Sequence, residues 1–132
     1  MKIVAVVPCH RSSSKAPLVV KELLNYVDFV ICVDDQCPER TGLKIKKYVK
    51  SDNLKVIFHK KNRGVGGATK TGIKFAQSLN AEIIIKIDSD GQMNPSYIPR
   101  LIHPIINKTA DFTKGNRFRN INVFFKMPKI RL

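Results

Sequence analysis

A run of apolar residues at positions 83–87, interrupted only by Lys86, ends abruptly in two aspartates, Asp88 and Asp90, which flank Ser89 and precede Gln92. A run this apolar is typical of a short strand that is buried on both of its faces. In open α/β sheets, ligands bind beyond the carboxyl ends of the strands. Paired carboxylates at such a place supply the hard oxygen ligands that Mg²⁺ or Mn²⁺ prefers. The segment therefore predicts a buried sheet with a metal or ligand site at one edge.

Strand and helix patterns alternate along the whole chain. Short apolar runs, mostly β-branched, predict strands at positions 3–7, 29–33, 54–58, 82–87 and 110–114. Apolar residues at helical spacing, and a glycine-rich helix start, predict helices at positions 16–26, 41–50 and 64–79. A further helix begins at the N-cap Asn94 with Pro95, and we expect Pro99 and Pro104 to keep it short or irregular. This alternation predicts an α/β, Rossmann-like fold, in which helices flank a mostly parallel sheet.

Basic residues dominate the composition, with a formal net charge of +14 over 132 residues. Residues 44–70 carry nine lysines or arginines against one acid, Asp52, and residues 112–132 carry six against none. Such a surface favours anionic partners, namely nucleic acid, a membrane face or phosphate-bearing substrates. The length predicts one domain, and 43% hydrophobic residues are enough for a buried core.

The three cysteines, Cys9, Cys32 and Cys37, form no Cys-x-x-Cys pair and leave an odd count. This pattern favours a reducing compartment over a disulfide framework or a zinc site. The sequence shows no signal-peptide pattern, and no apolar stretch approaches the roughly 20 residues that span a bilayer. We therefore expect a cytoplasmic location.

Polar segments follow the first four predicted strands, at positions 8–11, 34–36, 59–64 and 88–90. In a parallel sheet these strand ends meet along one edge, so the four segments are predicted to converge on one site. Asp34 or Asp35 would there accept hydrogen bonds from a nucleobase imino group or from ribose hydroxyls. The alternative role for these two acids is to cap the next helix.

The glycine-rich segment at positions 62–68 is similar to a phosphate-binding loop at a helix N-terminus. It matches neither the dinucleotide fingerprint nor the P-loop, and a tight turn into a closely packed helix explains it equally well. Arg63 would supply positive charge in either case, and Arg117 is of the type that pairs with a phosphate. His10, His59 and His103 show no ligand spacing and are assigned no catalytic role. No nucleophile–base pair is evident.

Five segments, taken in order, resemble the inverting family 2 glycosyltransferases with the GT-A fold. They lie at positions 6–10, 33–36, 62–68, 86–95 and 114–118. The resemblance is strongest to the polyprenyl-phosphate and dolichol-phosphate sugar transferases. It implies a metal-dependent enzyme in which Mg²⁺ or Mn²⁺ is held by Asp88, Asp90 and Gln92. It also implies that the donor-binding residues are Pro8, Cys9, Asp34, Asp35, Arg63, Gly64, Asp88, Ser89, Asp90 and Arg117.

The reaction that the resemblance implies is transfer of a sugar, with inversion, from a UDP- or GDP-linked donor to a lipid phosphate or a saccharide. Such chemistry serves cell-envelope polysaccharide or glycolipid synthesis, at the inner face of an anionic membrane. Family members continue well past Arg117, so we expect residues 1–118 to form an incomplete nucleotide-sugar-binding domain. Residues 119–132 would begin the acceptor half. No general base is assigned, and turnover by this chain alone stays open.

Three other functions are compatible with parts of the sequence. An inactive fragment that keeps nucleotide binding shares the same fold and site. A nucleotidyltransferase would need a glycine- and arginine-rich loop after the first strand, where this chain has Ser12-Ser13-Ser14-Lys15. A nucleic-acid-binding domain would explain the charge, but aromatic residues are only 8% and no recognition motif is present.

The tail at positions 119–132 mixes basic and apolar residues and has three interpretations. It could be a final strand or helix that packs on the sheet, a segment that lies on a membrane surface, or a segment whose packing partner is missing.

Overall fold

The computed structural model describes residues 2–91, 94–107, 112–114 and 121–125. Its strands form one six-stranded sheet. The strands are β1 (Ile3–Cys9), β2 (Phe29–Asp34), β3 (Leu54–Phe58), β4 (Ile83–Ile87), β5 (Phe112–Lys114) and β6 (Ile121–Phe125). The helices are α1 (Ala16–Leu23), α2 (Thr41–Tyr48), α3 (Gly64–Ser78) and α4 (Ile98–Ile106), the last preceded by the 3₁₀ turn Pro95–Tyr97. The strands lie in the order β3-β2-β1-β4-β6-β5.

The first four strands run parallel, β6 is antiparallel to them, and β5 at the edge again runs in their direction. β1 pairs with β2 on one side and with β4 on the other, and β2 pairs with β3. β6 pairs antiparallel with both β4 and β5. The predicted mostly parallel, helix-flanked sheet is therefore confirmed. The chain builds outward from β1 through β2 to β3 and then returns to the other side of β1, so the strand order reverses between β1 and β4. Such a reversal leaves a crevice at the carboxyl ends of the two strands.

Two apolar cores lie on opposite faces of the sheet. The first joins α1, α2 and α4 to alternate strand residues such as Ala5 and Val7. The second joins α3 to the intervening residues, such as Val4 and Val6. Val4 and Val6 on one face of β1 and Ala5 and Val7 on the other are all fully buried, because helices cover both faces of the central strands. This double burial explains why the predicted strands read as continuous apolar runs.

The observed element bounds agree with the predicted ones to within a few residues. β3 has the predicted limits, whereas α1 ends at Leu23, three residues earlier than expected. The Asn94 side chain caps the 3₁₀ turn by accepting the Ser96 N–H at 3.0 Å, as expected. α4 is short, as predicted, and contains Pro104 in its last turn. In the tail, Ile121–Phe125 forms a strand on the sheet, the first of the three interpretations.

Within the part of the chain that the structure describes, every helix is too short or too polar to cross a lipid bilayer.

Helix α3 packs so closely on β1 that a side chain at Gly72 has no room. A Cβ at this position would overlap with Cγ1 of Val6 and would also approach Val33. Both valines are fully buried in the core beneath α3 and have no free space to move into. Gly72 therefore fixes the height of α3 above the sheet.

We predict that Gly72→Ala lowers the free energy of unfolding by about 1–3 kcal/mol, since it overpacks a filled core. The matched control on the same helix is Gly66→Ala, whose Cβ would meet nothing within 4 Å. This control is expected to be neutral or to stabilise by up to about 1 kcal/mol, because alanine restricts the unfolded chain. Denaturant titrations followed by circular dichroism measure both changes, and equal effects of the two substitutions would contradict the close packing.

Candidate functional site

A cavity of about 300 Å³ lies at the carboxyl ends of the parallel strands, beside the point where the strand order reverses. We call it the strand-end cavity. It is lined by Pro8, Cys9, His10, Asp35, Asn62, Gly64, Val65, Ala68, Asp88, Ser89 and Asp90. Residues that lie far apart in the sequence thus meet at one edge, as the parallel assignment predicted. Seven of the predicted donor-site residues are among them, including both Asp88 and Asp90.

The wall nearest the centre of the sheet comes from the ends of β1 and β4. Cys9, the last residue of β1, is buried, and its thiol donates to the Val7 carbonyl at 3.3 Å. Beyond β4, the buried Ser89 hydroxyl forms a short hydrogen bond with the hydroxyl of Ser12. This bond ties the two loops together, so the aspartates on either side of Ser89 are carried by a fixed backbone.

Asp34 does not line the strand-end cavity. Its Oδ1 accepts the Cys37 N–H and its Oδ2 accepts the Gly42 N–H, both at 2.7 Å. The side chain therefore satisfies backbone donors of the loop and of the first turn of α2, which is the arrangement of the capping alternative. Asp34 is only 3% exposed.

Asp35 points to the strand-end cavity and forms a dense set of hydrogen bonds. Its Oδ1 accepts from Nδ1 of His59 and from the Arg63 N–H, each at 2.7 Å. Burial raises the pKa of Asp35, but the bonds from the His59 ring and from the Arg63 and Gly64 N–H groups outweigh it. The net pKa of this carboxyl is therefore below its ordinary value of 3.8. Asp35 is an ionised acceptor at neutral pH.

The N-terminus of α3 forms another wall of the cavity. Gly64 begins the helix with a φ of +78°, a conformation that glycine adopts without strain. The Asn62 side chain fixes this turn, because its Oδ1 accepts the Gly64 N–H at 3.0 Å while its Nδ2 donates to the Asp35 carbonyl at 3.2 Å. The first N–H groups of a helix have no partner within the helix, so this end attracts anions. The Arg63 side chain is exposed and does not line the cavity.

Asp88 and Asp90 form the acidic side of the cavity. Asp88 pairs with Lys86 of β4, with 2.8 Å between Nζ and Oδ1, and its side chain stays 28% exposed. The described residues contain no cluster of three or more histidine, cysteine or acidic side chains that would enclose a cation. Two carboxylates facing a cavity fit a Mg²⁺ or Mn²⁺ ion that completes its shell with phosphate oxygens and water. They do not form a closed cage of protein ligands.

Two predicted site residues, Gln92 and Arg117, lie outside the described residues. Four polar residues at the site had no assigned role in the sequence analysis: His10, His59, Asn62 and Lys86. Each stands within or just after a predicted strand, and both His59 and Asn62 belong to the segment after β3 that was expected at this edge. Their place at the ends of predicted strands was therefore the signal that could have identified them. The Asp35 partner of His59 and Asn62 could not, because it lies far away in the sequence.

The model of glycosyl transferase family 2 matches residues 4–132. The chain belongs to glycosyl transferase family 2. A UDP-N-acetylglucosamine–dolichyl-phosphate N-acetylglucosaminyltransferase of Methanococcus voltae is 36% identical to this family 2 chain, over 96% of the chain and 56% of that relative. An undecaprenyl-phosphate mannosyltransferase of Micrococcus luteus is 27% identical, over 89% of the chain and 49% of that relative. The family 2 chain thus spans about half the length of these curated relatives.

Solved structures of glycosyltransferases share the fold of this family 2 chain. TarS of S. aureus in complex with UDP is 26% identical, with a TM-score of 0.65 over 85% of the chain and 34% of that structure. A mannosyltransferase from Pyrobaculum calidifontis, in complex with GDP-Man and Mn²⁺, has a TM-score of 0.70 over 94% of the chain and 44% of that structure. At 16% identity, the second likeness concerns the fold alone. The GT-A fold that the resemblance implied is confirmed.

The Asp35 bonds generate a prediction about stability and pH. Because the folded protein lowers the pKa of Asp35 below 3.8, the carboxylate stabilises the fold above that pH. This contribution disappears as the pH falls through the folded pKa. We expect Asp35→Asn to lower the free energy of unfolding by about 2 kcal/mol at pH 7, the typical value for hydrogen bonds to a charged group. The difference from the unsubstituted chain should shrink below about pH 4.

Denaturant titrations between pH 3 and pH 7 measure this difference, with Asp52→Asn as the control. Asp52 is exposed, in the turn before β3, so its substitution should change stability by less than about 0.5 kcal/mol at every pH. A loss for Asp35→Asn that stays constant down to pH 3 would contradict the assignment of an ionised, bonded Asp35.

Proposed function

We propose that this chain carries the nucleotide-sugar-binding part of a metal-dependent, inverting glycosyltransferase. The sugar passes from a nucleotide diphosphate donor to a lipid phosphate or a saccharide. One observation carries the proposal: the strand-end cavity brings together an ionised aspartate, a helix N-terminus and two aspartates after β4. These are three kinds of group that would recognise, in turn, a nucleoside, a diphosphate and a divalent cation.

The nucleoside end of the donor would lie against Pro8, Cys9 and Asp35. Asp35 is held in place by neighbouring N–H groups, and as a carboxylate it accepts a hydrogen bond from a base imino group or a ribose hydroxyl. Pro8 and Cys9 supply a rigid apolar wall at the end of β1. Of the two acids at the end of β2, Asp35 is the one proposed to contact the donor, since the oxygens of Asp34 already accept two backbone N–H groups.

The diphosphate would lie between the N-terminus of α3 and the aspartates after β4. The N–H groups of the first turn of α3 beyond Gly64, whose own N–H donates to Asn62, would bond to an anion placed there. Asp88 and Asp90, with Gln92 as a further ligand, would hold Mg²⁺ or Mn²⁺. When bound, such an ion neutralises the charge that develops on the departing nucleoside diphosphate. Ser89, which lines the cavity, and two arginines, Arg63 and Arg117, complete the proposed donor site; Arg63 would reach the phosphates from its exposed position beside the cavity.

A lipid phosphate is the favoured acceptor class. The M. voltae and M. luteus relatives are both named for a polyprenyl-type lipid phosphate. The net charge of +14 favours work beside anionic lipid, at the cytoplasmic face of a membrane, as a peripheral protein. A phosphate acceptor is already ionised at neutral pH, which reduces the need for a general base.

Calorimetric titration with UDP and with GDP, each with and without Mn²⁺, tests the donor site. We expect one of the two nucleotides to bind, at least tenfold more tightly with Mn²⁺ than without it. The double variant Asp88→Ala/Asp90→Ala should lose this metal-dependent part, because it removes the carboxylates that face the cavity.

The matched control is Asp52→Ala, which also removes an acid. Asp52 lies on the exposed turn before β3 and does not line the strand-end cavity. This variant should bind like the unsubstituted chain. Circular dichroism establishes that each protein is folded. A folded chain that binds neither nucleotide, or whose binding is the same in the double variant, would refute the proposed site.

A further inference from the structure

His59 forms hydrogen bonds on both sides of its ring, directly behind the strand-end cavity. Nδ1 lies 2.7 Å from Oδ1 of Asp35, and Nε2 lies 2.8 Å from Oγ1 of Thr71. The ring is nearly inaccessible, with 5% of the side chain exposed, and its backbone N–H donates to the Asp34 carbonyl at 2.9 Å. His59 is therefore fixed at the end of β3 and buttressed by α3.

The direction of the bond to Asp35 follows from the charges. An ionised carboxylate can only accept, so Nδ1 carries the proton. The Thr71 hydroxyl lies 3.0 Å from the Gly67 carbonyl, to which it donates. It can instead turn its hydrogen to Nε2 when that nitrogen carries none. The Nδ1–H bond to Asp35 thus persists in either protonation state of the ring.

This arrangement leaves Asp35 with one oxygen for a ligand. Oδ1 already accepts two N–H groups, from His59 and Arg63, which use both of its lone pairs. The Gly64 N–H adds a further bond to the same carboxylate, so a donor from a molecule in the cavity has at most Oδ2 to bond to. Asp35 is therefore a one-oxygen acceptor.

Nucleobases differ in how many donors they present to such a group. Uracil has one N–H, at N3, between two carbonyl oxygens. Guanine presents two adjacent donors, N1–H and the N2 amino group, which suit both oxygens of a carboxylate. Against a one-oxygen acceptor, guanine would bury a donor without a partner, which costs affinity.

We propose that His59 is a positioning residue that holds Asp35 as a one-oxygen acceptor, and that the donor site therefore selects uracil over guanine. The inference rests on the proposed function and names the base for that same site. It assigns His59 no contact with the substrate, since the ring acts through Asp35.

The test compares UDP, GDP and UDP methylated at N3 by calorimetry, in the presence of Mn²⁺. We expect UDP to bind at least tenfold more tightly than GDP, and the N3-methyl analogue to bind about tenfold more weakly than UDP, as for one lost hydrogen bond to a charged group. Pyrophosphate with Mn²⁺ serves as a probe of the same cavity that carries no base.

His59→Leu should weaken UDP about tenfold and leave pyrophosphate unchanged, a pattern that general loss of structure would not produce. His59→Gln retains an N–H donor and should recover part of the UDP affinity. The control His103→Leu alters an exposed histidine of α4, which bonds only to Asn107 among described residues, and should change neither affinity. If His59→Leu does not fold, the titrations of His59→Gln with UDP and pyrophosphate decide the positioning role, and the N3-methyl comparison on the unsubstituted chain decides uracil selection.

The outcomes separate the inference from the proposed function. GDP binding as tightly as UDP, or an N3-methyl analogue that binds like UDP, overturns uracil selection while the donor site stands. Equal losses of UDP and pyrophosphate in His59→Leu overturn the positioning role. A folded chain that binds no nucleotide overturns both the inference and the donor site.

Discussion

The position of β1 between β2 and β4 is the constraint on which the other features of this protein depend. Because β1 is paired on both edges and covered on both faces, neither its backbone nor its side chains have freedom to shift. The reversal of strand order at this strand opens the crevice, and the loops after β1, β2 and β4 then have only one edge at which to meet. The donor site is thus a consequence of topology, and its chemistry is supplied by a few side chains placed at that edge.

Much of this architecture could be predicted from residue patterns. Strands buried on both faces give unbroken apolar runs, so β1 to β4 stood out, and their carboxyl ends identified Pro8, Asp35 and Asp88 as neighbours. The limits of α1 were less predictable, because helix ends depend on hydrogen bonds with residues that the local pattern does not include. The prolines were expected to keep α4 short or irregular, and it is short; its apolar face, formed by Ile98, Ile102 and Ile105, is buried and holds the helix on the sheet.

The sequence alone could not distinguish the roles of the two acids at the end of β2. Asp34 and Asp35 are adjacent, and in a strand adjacent side chains point to opposite faces. One therefore turns to the backbone of the loop before α2, and the other turns to the cavity and His59. The partner of Asp35 is 24 residues away, in the segment after β3, so only the pairing of β2 with β3 brings the two together. Side-chain networks of this kind require the register of the sheet, which local patterns do not provide.

The antiparallel strand β6 has a consequence for synthesis of the protein on the ribosome. β4 is complete at Ile87, but the strand that covers its free edge ends only at Phe125. Until β6 has left the ribosome, the backbone N–H and C=O groups on the free edge of β4 have no partner strand. This isoleucine-rich edge can then pair with other chains. At typical elongation rates of about 5–20 residues per second, this exposure lasts a few seconds. Nascent chains of this protein should therefore be most prone to aggregate during that interval, after the parallel core has formed.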